Sequence, residues 1–183
     1  MFDLCGDEVP FEQLSNARTD YFNSPDGKTF NNTAPVLSSK VDNAKPFTFS
    51  SRVTPRFSET YDAGAVYVYE NDRLWMKFAF ERDERKRSRV VTVRTIDTTD
   101  YNNHDIVDNA SVYLKVSSDT KTIGYYYSLG GEGWQLVRLY RNDFPSEIWV
   151  GVSAQSPVGN GKTAAFGECI LTENSVGDFR TGI

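Results

Sequence analysis

Hydrophobic and polar residues alternate along this chain with a period of two, most clearly between Asp62 and Glu81. Such alternation is typical of β-strands, in which successive side chains point to opposite faces. The stretch predicts two strands joined by a polar turn at residues 70–73. A strand that only covered a core could carry small hydroxyl residues on its wet face. In the second strand that face instead carries Trp75, Lys77, Ala79 and Glu81.

The same period recurs along the rest of the chain, with turn residues between the predicted strands. No segment keeps a helical period, although residues 11–17 are long enough for one short helical turn. The pattern therefore predicts an all-β chain, an antiparallel β-sandwich of the jelly-roll type with a minor short helix at most. At 183 residues the chain suits a single domain, with residues 1–20 as an N-terminal edge segment.

The charge and the apolar content of the sequence argue against nucleic acids and membranes as binding partners. The chain has 25 acidic and 20 basic residues and a net charge of −5, whereas a nucleic-acid-binding protein needs a basic surface against the phosphates. No apolar run reaches the roughly 20 residues of a membrane-spanning helix. The first residues show neither the basic region nor the apolar core of a signal peptide. We therefore expect a cytoplasmic protein that binds neither nucleic acid nor membranes.

Five short runs, in this order along the chain, resemble one known family. The family is that of the regulation-of-enolase proteins, which are concanavalin-A-like and hold a domain of unknown function. The resemblance extends from about Tyr21 to Leu171. The runs are Asp62-Ala-Gly-Ala-Val-Tyr-Val-Tyr69, Leu74-Trp-Met-Lys-Phe-Ala-Phe-Glu81, Val90-Val-Thr92, Tyr125-Tyr-Tyr-Ser-Leu-Gly-Gly-Glu-Gly-Trp134 and Val150-Gly-Val-Ser-Ala-Gln-Ser-Pro157.

The resemblance implies a concanavalin-A-like sandwich with one concave sheet, a cytoplasmic location and no established enzymatic activity. It also implies a regulatory or interaction role on a metabolic enzyme, where the family name suggests the glycolytic enzyme enolase and a link to galactose metabolism. The chain departs from the family pattern at Asp62, where many members have Gln, and in a longer turn at Gly130 and Gly131. Because the segment 97–108 is also longer and more acidic than usual, binding by loops is not carried over.

The mixed face of the central strands is the first candidate site. A sugar ring needs an aromatic plate for its C–H face and hydrogen-bonding groups for its hydroxyls. A carbohydrate-binding module that uses the concave sheet is therefore the alternative to the interaction protein. The other interpretation of this face is an exposed tryptophan beside charges that serve solubility. The predicted ligand-binding residues are Trp75, Lys77, Glu81 and Tyr67, expected to share one solvent-reachable surface, with Arg94, Tyr126 and Gln155 on neighbouring strands.

Two further patterns give weaker candidates. Glu81-Arg-Asp83 imitates the start of the Glu-x-Asp-x-x-Glu strand of jelly-roll glycosidases, but Lys86 stands at the last position, so a turn explains it better. Weak glycoside activity is therefore the third hypothesis, and we predict no catalytic residue and no cofactor. In the segment 97–108 a solvated polar loop is favoured over a calcium site. The candidate metal ligands there are Asp97, Asp100 and Asp105.

Overall fold

The fold is built from strands joined by turns and loops. The structure, a computed structural model, describes residues 10–183, and no helix in that range could cross a membrane. The strands it contains are β1 (Phe11–Leu14), β2 (Tyr21–Asn23), β3 (Phe30–Asn32), β4 (Leu37–Asp42), β5 (Phe47–Pro55), β6 (Ala63–Asn71), β7 (Leu74–Arg82), β8 (Ser88–Ile96), β9 (Thr98–Ile106), β10 (Val112–Ser118), β11 (Thr122–Ser128), β12 (Gln135–Arg141), β13 (Glu147–Gln155) and β14 (Thr163–Thr172).

These strands form two six-stranded sheets and one small hairpin. Sheet I has the strand order β1-β14-β5-β10-β11-β12, and sheet II has the order β4-β13-β6-β7-β8-β9. The neighbouring strands pair in the antiparallel sense throughout. β2 and β3 form the hairpin. The predicted all-β antiparallel sandwich is confirmed.

The main core lies between the two sheets. Met76, Phe78 and Phe80 of β7 are fully buried in it. The ring of Phe78 stacks on that of Tyr125 from sheet I, with the ring centroids 5.0 Å apart. Burying these apolar faces against each other removes them from water, which holds the two layers together. Because side chains alternate, the odd-numbered residues of β7 point to the outer face of sheet II.

Two local predictions are wrong. Phe11–Leu14 form the edge strand β1 on β14 instead of a helical turn, because the ring of Phe11 packs against Phe166, with the centroids 5.7 Å apart. The segment 97–108 is largely the edge strand β9, paired with β8, rather than a loop. In both places pairing with a distant strand overrides the local preference of the residues. Residues 1–9 of the expected N-terminal edge segment lie outside the described range.

The β2–β3 hairpin lies over the outer face of sheet II as a third layer. The ring of Tyr21 contacts the rings of Tyr67, Tyr69 and Trp75, with centroid distances of 5.6, 6.0 and 5.5 Å. These residues belong to a second, smaller apolar cluster, separate from the main core. The outer face of sheet II is thus covered at its centre.

The buried Asn23 fastens the far end of β2. Its side-chain N–H groups donate to the backbone carbonyls of Asp72 at 2.9 Å and Asp97 at 3.0 Å. Its backbone N–H donates to Oγ1 of Thr99 at 3.1 Å. Because these partners lie in the β6–β7 turn, in the β8–β9 turn and in β9, this one residue ties the hairpin to three parts of sheet II.

Candidate functional site

Trp75 and Tyr67 lie on the outer face of sheet II beneath the hairpin. Both side chains are fully buried, and their ring centroids are 6.2 Å apart. The expectation that they form a solvent-reachable surface is therefore wrong, because Tyr21 covers them. A ligand cannot stack on Trp75 while the hairpin is in place.

Lys77 is also buried on this face, and its ammonium group is fully hydrogen-bonded. Nζ donates to Oδ1 of Asp20, to the carbonyl oxygen of Tyr21 and to Oε1 of Gln155, each at 3.0 Å. An ammonium group has three N–H donors, so none is left for a ligand. Gln155 in turn donates to the hydroxyl of Tyr67. Lys77 and Gln155 thus join the hairpin to sheet II rather than binding a ligand directly.

Two of the predicted site residues lie elsewhere. Arg94 stands opposite Met76, so it points to the core side of sheet II, where its Nη2 donates to Oδ2 of Asp143 at 2.7 Å. Tyr126 belongs to sheet I and points outward, and its hydroxyl donates to the carbonyl of Phe179 at 2.9 Å. Grouping them with the mixed face of β7 is wrong, because the face that a residue occupies depends on strand register.

The pattern Glu81-Arg-Asp83 does not place two carboxylates together in a cleft. Asp83 is buried and accepts hydrogen bonds from the backbone N–H groups of Arg85 and Arg87, both at 2.9 Å. The side chain of Arg87 adds another, from Nη2 to Oδ2 at 2.8 Å. Asp83 therefore stabilises the β7–β8 turn.

The three candidate metal ligands have separate partners. Asp97 Oδ1 lies 3.3 Å from Nε of an arginine, Asp100 forms an ion pair, and Asp105 Oδ2 accepts a hydrogen bond of 2.7 Å from a tyrosine hydroxyl. The partners are, in chain order, Arg73, Arg138 and Tyr127. In residues 10–183 no three His, Cys, Asp or Glu side chains are grouped to hold a metal ion.

A pocket of about 390 Å³ lies beside the hairpin, over the carboxyl-terminal half of β7. We call it the Glu81 pocket. Its volume lies within the range of roughly 300–1,000 Å³ that is common for small-ligand sites. Two prolines, Pro25 and Pro157, contribute to its lining. The other lining residues are three aromatic side chains, three carboxylates and one ammonium group: Phe22, Tyr61, Tyr101, Asp20, Glu81, Glu84 and Lys77.

Glu81 is the buried carboxyl of this pocket, with 3% of its surface exposed. The hydroxyl of Tyr101 donates to its Oε1 at 2.9 Å, and no other side chain or backbone group in residues 10–183 hydrogen-bonds the carboxyl, which leaves Oε2 for a ligand. Burial raises the pKa of Glu81 to about 7, although the ammonium of Lys77 and the Tyr101 hydroxyl act in the opposite direction. Near neutral pH the carboxyl is therefore present in both protonation states.

Tyr61 borders the pocket with its backbone in the left-handed region, at φ 68°. A side chain there costs roughly 1–2 kcal/mol, and such strain is concentrated at binding sites. The loop is organised by the buried Asp62, whose Oδ2 accepts the backbone N–H groups of Ser58 at 2.9 Å and Glu59 at 2.8 Å. The structure thus holds an aromatic ring at the pocket in a backbone conformation that a tyrosine does not favour.

Sequence reasoning identified Lys77 and Glu81 but missed the other polar and aromatic residues of the pocket. They come from the segment before β2, from β2, from the β5–β6 loop, from the β7–β8 turn and from β9. Only tertiary packing brings these segments together, so no local spacing could have joined them. The missed residues are Asp20, Phe22, Tyr61, Glu84 and Tyr101.

We expect Glu81→Gln to stabilise the protein at pH 8 and to change little at pH 4. In the unfolded chain the carboxyl ionises near its ordinary pKa of 4.5, and in the folded protein near 7. The folded state therefore loses stability as the pH rises through this interval, by up to about 3 kcal/mol. Glutamine carries no charge and escapes that loss. Urea denaturation at both pH values measures the difference in free energy of unfolding between the variant and the wild type. An equal difference at pH 4 and pH 8 would contradict the raised pKa of the buried Glu81.

Comparisons with known proteins agree on the fold. The profile of a family described as "Protein of unknown function (DUF1349)" matches residues 10–174. No curated protein matches the sequence. The crystal structure of a functionally unknown protein from Saccharomyces cerevisiae is similar with a TM-score of 0.83 and 21% identity, and the likeness covers 92% of this chain and 90% of that chain.

Two carbohydrate-related structures share the sandwich. The carbohydrate-binding module CBM66 from Bacillus subtilis has a TM-score of 0.53 and 18% identity, over 74% of this chain and 78% of that chain. A xylan β-1,4-xylosidase from Bacillus halodurans C-125 has a TM-score of 0.64 and 16% identity, over 74% of this chain but only 29% of that chain. At these identities the likeness is one of fold. The match covers less than a third of the xylosidase chain.

Proposed function

We propose that this chain, which belongs to the family described as "Protein of unknown function (DUF1349)", is a carbohydrate-binding protein that holds a small saccharide in the Glu81 pocket. The observation that carries the proposal is the combination of aromatic side chains with a buried carboxyl in one cavity of about 390 Å³. The ligand position differs from the predicted one over Trp75, since the hairpin covers that ring.

The chemistry of the lining suits a sugar. The rings of Phe22, Tyr61 and Tyr101 offer apolar surface to the C–H face of a pyranose. Oε2 of Glu81 is free of protein donors in residues 10–183, and a carboxyl of either protonation state can hydrogen-bond a hydroxyl. Pockets of this kind, largely apolar with a few convergent polar groups, are typical of small-ligand sites.

The pocket is held in shape by polar side chains whose hydrogen bonds go to the protein. Lys77 fixes the hairpin through Asp20 and Tyr21, and Asp62 fixes the loop that carries Tyr61. A site whose side chains are already positioned loses less conformational freedom on binding. The sandwich shared with CBM66 is compatible with the proposal, and at 18% identity it adds support at the level of fold.

Tyr61→Asn is expected to weaken saccharide binding about fivefold without loss of stability. The variant removes one ring contact, worth roughly 1 kcal/mol, while Asn tolerates the left-handed backbone better than Tyr. Isothermal titration calorimetry against a panel of mono- and disaccharides measures affinity, and thermal denaturation measures stability. The proposal requires at least one saccharide that binds the wild type and binds Tyr61→Asn more weakly.

Thr120→Asn is the matched control. Thr120 also has a left-handed backbone, at φ 80°, but it lies in the β10–β11 turn of sheet I. The substitution relieves the same kind of strain far from the pocket lining. It should therefore raise stability slightly and leave saccharide affinity unchanged. If the wild type and Tyr61→Asn bind the saccharide with equal affinity, the saccharide does not bind in this pocket.

A regulatory interaction with enolase in the cytoplasm, which the family resemblance implies, stays a prediction, since none of the comparisons bears on it. If no saccharide binds the wild-type protein, the carbohydrate proposal is wrong. A pull-down with purified enolase then becomes the next test of function.

A further inference from the structure

The charges that line the Glu81 pocket are mostly negative. Asp20, Glu81 and Glu84 contribute carboxylates, and within residues 10–183 Lys77 is the one cationic residue of the lining. Its three N–H groups already donate to Asp20, Tyr21 and Gln155. Lys77 thus compensates Asp20, whereas the described part of the lining supplies no cation for Glu84 and no hydrogen-bond donor for Oε2 of Glu81. A ligand that carries a positive charge would fill that role.

The aromatic lining favours the same kind of ligand. The faces of aromatic rings attract cations, and sites for ammonium ligands commonly combine such rings with carboxylates. Phe22 and Tyr61 line the pocket together with Glu81, and Tyr101 is hydrogen-bonded to it. A neutral sugar would use the rings for stacking but would leave the buried carboxyl without a charge partner, which low-polarity surroundings make costly.

We propose that the saccharide bound in the Glu81 pocket carries a protonated amine, so that the protein selects amino sugars over neutral sugars. The inference rests on the proposed function and adds the ligand class. The ammonium group lies against Oε2 of Glu81, with the carboxylate of Glu84 beside it, while the sugar ring contacts Tyr61.

The ionisation of Glu81 couples to this binding. A bound cation favours the charged carboxylate, so amine binding releases a proton from Glu81 near pH 7, where burial holds its pKa. The cross-strand neighbour of Glu81 on β8 is Arg89, whose Nε lies 3.5 Å from Oδ2 of Asp83. The other titratable groups that face Glu81 are Lys77 on β7, Tyr101 on β9, Asp20 before β2, Glu84 in the β7–β8 turn and Tyr61 in the β5–β6 loop.

The test compares three sugars of one ring type by isothermal titration calorimetry at pH 7: D-glucosamine, N-acetyl-D-glucosamine and D-glucose. We expect D-glucosamine to bind at least tenfold more tightly than the other two. Repeating the titration in two buffers of different ionisation enthalpy reports the protons released. Glu81→Gln should lose about tenfold in D-glucosamine affinity, together with the protons that Glu81 releases, and should lose less in D-glucose affinity, because glutamine still hydrogen-bonds a hydroxyl.

Two further variants keep the test decisive. Glu84→Gln, at an exposed position, should weaken D-glucosamine severalfold without disturbing the fold. Glu173→Gln, an equally conservative change at an exposed residue beyond β14, should change nothing. If D-glucose or N-acetyl-D-glucosamine binds as tightly as D-glucosamine, the amine proposal is overturned while the carbohydrate proposal stands. If none of the three and no other saccharide binds, both fall.

Discussion

Replacing Trp75 by alanine is expected to lower the free energy of unfolding by about 4 kcal/mol. The side chain is fully buried between sheet II and the ring of Tyr21. Its removal leaves a cavity that the paired strands on either side cannot close, because their register is fixed. The indole Nε1 has no hydrogen-bond partner in the described residues, so the loss comes from packing. Chemical denaturation of both proteins measures it.

Trp149 provides the matched control for that substitution. It lies on β13, opposite Tyr69 on the same face of sheet II, and is 37% exposed. Trp149→Ala is therefore expected to change the free energy of unfolding by less than about 1 kcal/mol. Trp75→Phe, which keeps a ring under Tyr21, should recover part of the loss. If Trp75→Ala and Trp149→Ala lower the free energy of unfolding by similar amounts, the burial of Trp75 beneath the β2–β3 hairpin is contradicted.

Alternation along β7 was enough to separate its two faces. Met76, Phe78 and Phe80 lie in the main core, while Trp75 and Ala79 lie in the second cluster on the other face. The inference works because the period of a strand is a local property that the sequence carries directly. The fold class follows for the same reason, since most of the long strands show alternation and end at turn residues.

The segment that covers the outer face of sheet II could not be predicted from local sequence. Tyr21 and Asn23 reach the outer face of sheet II from a hairpin about fifty residues earlier in the chain than β7, and the sequence contains no signal for that docking. β9 was hidden as well, because its Asp, Asn and His residues are poor strand formers. Its pairing with β8 supplies the strand, and with it Tyr101 of the pocket.

The covered face also changes which variant reports on ligand binding. A binding loss in Trp75→Ala would be ambiguous, because the substitution removes the support of the hairpin that carries Phe22. Tyr61 is the better probe, since its ring borders the pocket and its backbone strain is relieved by Asn. The residue that organises the fold here is thus distinct from the residues that contact the proposed ligand.

Lys77→Met is expected to destabilise the protein by about 3 kcal/mol. Methionine preserves much of the side-chain volume but leaves the carboxylate of Asp20 without its cation, and a half-broken buried ion pair is costly. Gln155 and the carbonyl of Tyr21 also lose their donor. Because these contacts fix the hairpin, limited proteolysis should cut near β2 faster in the variant. Urea denaturation gives the free energy.

Lys40→Met tests the same substitution at an exposed pair on the same sheet, with Lys40 Nζ 2.6 Å from Oε2 of Glu147. Surface pairs contribute at most about 1 kcal/mol, so this control should stay close to the wild type. The double variant Lys77→Met with Asp20→Asn separates the causes. Recovery of stability would show that the uncompensated carboxylate dominates the loss. If the double variant is as unstable as Lys77→Met, the hydrogen bonds from Lys77 to Tyr21 and Gln155, rather than the charge of Asp20, account for the loss.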